Sequence, residues 1–181
     1  MFYLTGFKPF QGREKNGSET LMDSLSQESS LDYVHFNTLE VSWEAFDDFY
    51  QQLCETTVSG IIGFGEGERE SIVVELVGRN ICSGVDEFGV KRRNQRINDR
   101  EPSTNPSRIR IPANRNIIES GNAGDFLCNY ELFHLNRIHT PISGFVHLPP
   151  QGGTSDEEYL SAIKPTVMDI VSCNFLGEEN T

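Results

Sequence analysis

Cys128, His147 and Glu75 are the three residues whose types and settings could together carry nucleophilic chemistry. Cys128 follows Gly121-Asn122-Ala123-Gly124, a stretch able to turn tightly, and stands near the start of a predicted helix over about 125–136. A thiol in the first turns of a helix meets unpaired backbone N–H groups and the positive end of the dipole, which favour the thiolate. The same N–H groups could hold an oxyanion. His147 closes an apolar run directly before Leu148-Pro149-Pro150, where a strand stops and a loop opens. An imidazole there could take the thiol proton and return it to a leaving amine, since its ordinary pKa of ~6.5 lets it work in both directions. Glu75 interrupts Ile72-Val73-Val74 and precedes Leu76-Val77, an apolar setting that is costly for an unpaired charge, so it needs a partner. Orienting the imidazole of His147 is one such role. The plainer alternatives are a buried structural cysteine at 128 and the exposed face of an edge strand at 75. His134 and His139 compete with His147, from surroundings that read as helix end or surface.

These residues need elements to hold them. Short apolar, β-branched runs alternate with longer amphipathic stretches, the pattern of strands joined by crossover helices. Phe2 to Phe7 reads as a first strand, about Glu19 to Leu25 as a helix, and Val34 to Val41 as a second strand. Trp43 to Leu53 puts Trp43, Phe46, Phe49, Tyr50 and Leu53 on one helical face. Ile61-Ile62 leads into a glycine-rich turn at Gly63, Gly65 and Gly67, after which Ile72 to Leu76 resumes. That turn lacks a GK[ST] ending, and Glu68 stands where GxGxxG needs glycine, which argues against a nucleotide loop. Asn80 to Pro106 is polar and predicts a long surface loop or hairpin. Arg108 to Pro112 and Ile142 to Leu148 are further strand candidates, and Ser155 to Phe175 predicts a closing helix interrupted or kinked near Pro165. The expected fold class is α/β: a single domain over residues 1–181, with an open, twisted, mainly parallel sheet and helices on both faces.

Composition narrows the function. A formal charge of -12 opposes attraction to nucleic acid or anionic lipid. The basic cluster Lys91-Arg92-Arg93 with Arg96 and Arg100 sits among polar residues and reads as a solvated loop. The four cysteines, Cys54, Cys82, Cys128 and Cys173, are widely spaced without a CxxC pair, so neither zinc nor a disulfide framework is indicated. Free thiols, the lack of a signal-like start and the lack of an ~18-residue apolar run together predict a cytoplasmic, soluble protein.

The segments around the three residues resemble the pyroglutamyl peptidase (pyrrolidone carboxyl peptidase) family of cysteine peptidases. Thr5-Gly6-Phe7-Lys8-Pro9-Phe10-Gln11-Gly12 is similar to its TGFxPFGG opening, with Asn16 at its asparagine. Ile72-Val73-Val74-Glu75 with Asn80 resembles its glutamate segment. Ala123-Gly124-Asp125-Phe126-Leu127-Cys128-Asn129-Tyr130 resembles AGxxxCN, and Ser143-Gly144-Phe145-Val146-His147-Leu148-Pro149 resembles GFxHxP. All four occur in the family's order.

The resemblance implies removal of an N-terminal pyroglutamyl residue from a peptide with a blocked N-terminus, through a Cys128 thiolate and an acyl-enzyme, with no metal or other cofactor. It further implies a tendency to form homo-oligomers, and a lactam site lined by Phe7, Phe10, Asn16 and Phe126. Departures accompany the likeness. Phe64 stands where the family's turn carries glutamine, so it is counted with the substrate-binding residues, and Val85 aligns with a family arginine. The second glycine of the opening motif is Gln11, and the stretches from Glu75 to Cys128 and from Cys128 to His147 are shorter than usual. Two alternatives follow from these departures: a cysteine hydrolase of altered N-terminal or amide specificity, and a catalytically silent peptide-binding relative.

Overall fold

The computed structural model describes residues 1–113 and 116–176. Its centre is a six-stranded sheet in the order β2-β1-β3-β10-β4-β9. The strands are β1 (Phe2–Phe7), β2 (Val34–Leu39), β3 (Gly60–Glu66), β4 (Val73–Glu75), β9 (Ile118–Ser120) and β10 (Ser143–Leu148). β2, β1, β3 and β10 run parallel to one another, while β4 lies antiparallel to β10 and carries β9 parallel to itself. The sheet is therefore mainly parallel, as expected, with its last two strands reversed.

Side chains alternate across the strands and sort into two cores. Leu4, Ile62, Phe64, Val74, Val146 and Leu148 pack with α1 (Gly17–Leu25) and α4 (Asp156–Val171). Phe7, Ile61 and Phe145 pack on the opposite face with α2 (Trp43–Cys54) and α3 (Leu127–Leu135). Burying each of these side chains contributes ~1.5–3 kcal/mol, so parity along the strands fixes which face each residue can occupy. Side chains close three of the helix starts: Asn16 accepts from Ser18 N (3.0 Å), Ser42 from Ala45 N (3.3 Å) and Ser155 from Glu158 N (3.2 Å). α4 runs through Pro165 as one helix, so of the expected interruption or kink the interruption does not occur. Pro165 is exposed, and the apolar stripe Tyr159, Ile163, Val167 and Ile170 continues beneath it, so packing outweighs one missing backbone bond.

Three further expectations are corrected. Gly63 and Gly65 form part of β3 rather than a turn, because α3 packs too close for any side chain there (below). Arg108 to Pro112 forms no strand. Its backbone makes single bonds, Arg108 N to Ser143 O (2.7 Å) and Arg110 N to the Asn174 side chain (2.8 Å), while Ile109 and Ile111 cover the α1/α4 core. Asn80 to Pro106 takes the second of its two expected forms, a hairpin, of β6 (Cys82–Val85) with β7 (Lys91–Gln95), preceded by β5 (Val77–Arg79), which pairs with β8 (Thr104–Pro106). Asn80 organises the turn within this stretch, donating to Asn98 O, Glu101 O and Pro102 O and accepting from Ile97 N and Asn98 N. Arg92, expected in solvent, lies over the rings of Trp43 and Tyr130, 4.6 Å from each centroid, and pairs with Asp47. It pins the hairpin to α2 and α3.

Candidate active site

β10 and β4 bring His147 and Glu75 to the same face of the sheet. In their antiparallel register Glu75 stands opposite Phe145 and Val73 opposite His147, so Glu75 is the diagonal neighbour of the histidine. A glutamate side chain spans that diagonal. Its Oε1 meets His147 Nδ1 at 2.9 Å, and both side chains are largely buried. With Nδ1 held, Nε2 is the nitrogen left for the thiol.

Burial opposes charge on His147, but the charge and hydrogen bond of Cys128, followed by those of Glu75, outweigh it and push the imidazole up to about 10. Burial likewise opposes ionisation of Glu75, yet His147, the Ser120 hydroxyl and the Asn122 backbone together hold this carboxyl below its ordinary value. Among the described residues, Glu75 Oε2 makes no full hydrogen bond, so Ser120 and Asn122 favour the charge from nearby rather than by close contact.

Cys128 is the second residue of α3. The turn before it uses Gly124 at φ +79°, with Asn122 Oδ1 accepting from Gly124 N at 3.2 Å. The first backbone bond of the helix runs from Tyr130 N to Phe126 O at 3.0 Å, so the N–H groups of Leu127, Cys128 and Asn129 precede the ladder. Unlike the other three α-helices, α3 has no side-chain cap: Phe126 occupies the capping position without an acceptor. These donors are left for an anion arriving beside the sulfur.

Two residues that the sequence reading left without a role fix this helix end. Asn129, fully buried, accepts from Arg79 N (2.8 Å) and donates to Arg79 O (2.9 Å) and Ile81 O (2.8 Å), stapling α3 to β5 and the chain beyond it. Arg79 in turn donates to Asn122 (2.9 Å) and pairs with Asp125, holding the turn that delivers Cys128. The asparagine beside the cysteine was visible in the AGxxxCN segment; its reach across to 79–81 was not.

A cavity of about 450 Å³ opens over the three groups. Phe7, Phe10, Asn16 and Phe126 line it, together with Val41, Glu66 and Asn122. Phe7 is nearly buried and shared with the core. Phe10 and Phe126 are half-buried, with centroids 6.5 Å apart, and Trp43 supports Phe126 edge-on at 5.2 Å. Asn16 reaches the cavity wall but is also committed to capping α1 and to donating to Lys8 O.

Phe64 does not line the cavity. It is fully buried in the α1/α4 core, because the even-numbered positions of β3 face that side. The β3 residue that does reach the cavity is Glu66 at the strand end, which accepts from Gly17 N (2.9 Å) and Arg13 Nη1 (2.8 Å). It shares the parity of Phe64 and so stands on the α1 side, and it meets the cavity because β3 ends there, which parity in the sequence does not reveal. Val85 lies on the hairpin with its side chain exposed, outside the cavity lining.

The arrangement can generate a nucleophilic sulfur, shuttle its proton and stabilise an oxyanion beside an apolar wall. No family model matches the chain. Among curated protein sequences, the pyrrolidone-carboxylate peptidase of Chromobacterium violaceum is 30% identical over 159 residues, covering 81% of this chain and 76% of that protein. Among solved structures, the pyrrolidone carboxyl peptidase of Thermus thermophilus aligns at TM-score 0.73 and 27% identity over 83% of this chain and 85% of that one. That of Fervidobacterium islandicum AW-1 reaches TM-score 0.80 over 95% of this chain and 96% of its own, at 22% identity, a likeness of fold.

Proposed function

This chain belongs to the pyrrolidone-carboxylate peptidase family, and from that premise we propose that it removes N-terminal pyroglutamyl residues from peptides, with Cys128 as nucleophile. The observation that carries the reading is the pairing of His147 Nδ1 with Glu75 at 2.9 Å beneath a cavity that also receives Cys128. His147 takes the thiol proton, and the sulfur attacks the carbonyl carbon that joins pyroglutamate to the next residue. The oxyanion forms against the uncapped N–H groups of α3. The C–N bond breaks as the imidazolium gives its proton to the departing amine, leaving a thioester. Water, deprotonated by the same imidazole, cleaves the thioester to pyroglutamate and free thiol.

Glu75 holds the ring in the tautomer this shuttle needs and stabilises its charge. Phe10 and Phe126 offer the flat lactam an apolar wall, with Phe7 and Asn16 at its edge. A cytoplasmic setting accords with a chemistry that requires a reduced thiol.

The test is hydrolysis of a pyroglutamyl fluorogenic amide by the wild-type protein and by Cys128→Ala, under reducing conditions near pH 7.5. Turnover by the wild type and its loss in the variant are expected. Equal turnover by both would remove Cys128 from the mechanism, and turnover of unblocked aminoacyl amides in preference to the pyroglutamyl one would redirect the assignment to another N-terminal group.

A further inference from the structure

Glu131 is a carboxyl that this mechanism does not use, and its surroundings are unusual. It lies on α3 one turn after Cys128 and is fully buried. Among the described residues its only hydrogen-bond partner is the Thr5 hydroxyl of β1, which meets Oε1; Oε2 has none. From β3 it faces Gly63, and from β10 the ring of Phe145, neither of which titrates. On its own helix the flanking titratable groups are Cys128, one turn before, and His134, one turn after, whose ring sits among Phe46, Tyr50, Tyr130 and Phe133. No cation meets it. A carboxylate left unpaired in such a place is far costlier than the neutral acid.

The position is tied to the nucleophile by a shared track. A Cβ at Gly63 would stand 2.8 Å from Glu131 Oε1, and a Cβ at Gly65 would stand 3.0 Å from Cys128 Sγ, with the Phe145 ring against both. Two glycines of one strand thus seat two side chains of one helix.

We infer that Glu131 is a positioning residue: as the neutral acid it seats the nucleophile's helix on the glycine track of β3, and its ionisation disarms Cys128. A new negative charge one turn behind the sulfur disfavours the thiolate and opposes the oxyanion, and it drives the carboxyl away from its dry seat. Burial pushes this carboxyl up to about 8, the Thr5 hydroxyl partly opposing it, so the change falls within the working range of a thiol enzyme. It also comes before His147 loses its proton near 10.

The inference rests on Cys128 being the nucleophile proposed above, and the test reads the thiol without a substrate. Iodoacetamide alkylation of Cys128 in the intact protein is followed from pH 6 to 10 beside pyroglutamyl amide turnover. In the wild type both rates should bend downward near pH 8 and fall about tenfold or more by pH 9.5. Glu131→Gln, neutral at every pH, should hold its pH 7 rates through pH 9.5. Thr5→Val, which removes the one contact favouring the charge, should move the bend to higher pH and gives a second reading if the Gln variant folds poorly. A bend unchanged in both variants would overturn the inference. An alkylation bend that the variants move, in a protein that does not turn over the pyroglutamyl amide, would support it while removing the proposed substrate.

Discussion

Adding a single methyl group at Gly65 should separate catalytic geometry from mere folding. The Cβ of Gly65→Ala would lie 3.0 Å from Cys128 Sγ and 2.8 Å from Cζ of Phe145. Ordinary contact begins near 3.4 Å, so the thiol and the ring must each give way by about half an ångström. Neither yields easily. Phe145 is fully buried between β3 and α3 and touches the His147 ring edge-on at 5.1 Å, and α3 is held by the three hydrogen bonds of Asn129. Overpacking of this kind costs ~1–3 kcal/mol. At ~2–4 °C per kcal/mol for a chain of this size, Tm should fall by about 2–12 °C. The effect on rate should be larger in proportion, because displacement approaching 1 Å at a reacting atom can cost ~10²-fold. The expected result is kcat on a pyroglutamyl fluorogenic amide lowered by about 10- to 100-fold in a protein that remains folded at 25 °C, with slower iodoacetamide alkylation of Cys128. Gly153→Ala is the control, since a Cβ there meets nothing within 4 Å, and it should match the wild type in every readout. A Gly65→Ala protein with kcat within threefold of wild type would refute the claim that the sheet sets the height of the sulfur.

Glu75→Gln should remove a charged hydrogen bond worth ~1.5–3 kcal/mol and lower kcat/KM by about 10- to 100-fold, which steady-state kinetics near pH 7 would detect. The imidazolium should also titrate at lower pH without its carboxylate, visible as a shifted His147 ring signal by NMR; an unmoved signal would count against the pairing. The sign for stability follows from the same pair. His147, raised to about 10, contributes stability that is complete below its unfolded value of 6.5 and is lost as pH rises through about 10. Glu75, lowered, contributes stability present above 4.5 and lost as pH falls through its folded value, and chemical denaturation at a series of pH values should show Glu75→Gln flattening the acid limb. Asn129→Ala leaves partly buried backbone groups of Arg79 and Ile81 unpaired, at roughly 2–4 kcal/mol, so Tm should drop by about 5–15 °C by calorimetry.

The elements with strong local signals were legible in the sequence. The strand at Phe2–Phe7 and the helix from Trp43 appear where periodicity puts them, and Cys128, His147 and Glu75, distant in the chain, line one cavity. What failed was information that a local window does not contain. Gly63 and Gly65 read as a turn because glycine usually breaks strands, whereas here its value is the missing Cβ beneath α3, known only once the helix is docked. Phe64 was counted by its match to the family's glutamine, a match that carries no strand parity, whereas a residue in β3 must obey the alternation of its neighbours and here faces the α1/α4 core. Arg108 to Pro112 has the composition of a strand, but the edge it would join is absent from its side of β10, where β4 already pairs.

The reversal of β4 explains why Glu75 could not be assigned from spacing. In a sheet with parallel strands throughout, the residue that meets a histidine at a strand end would itself be expected near the end of its strand on the same edge of the sheet. Here the antiparallel step places the last residue of β4 two positions deeper than His147, opposite Phe145. The carboxylate therefore approaches the imidazole from within the sheet, on the Nδ1 side, and leaves the outward nitrogen to the thiol and the cavity. Depth is also what makes the pair effective: Glu75 is 2% exposed, so water competes little for its charge and the interaction with His147 acts at an effective dielectric far below that of bulk water. An equally spaced glutamate on a parallel neighbour would sit at the rim, solvated, and would hold the ring only weakly.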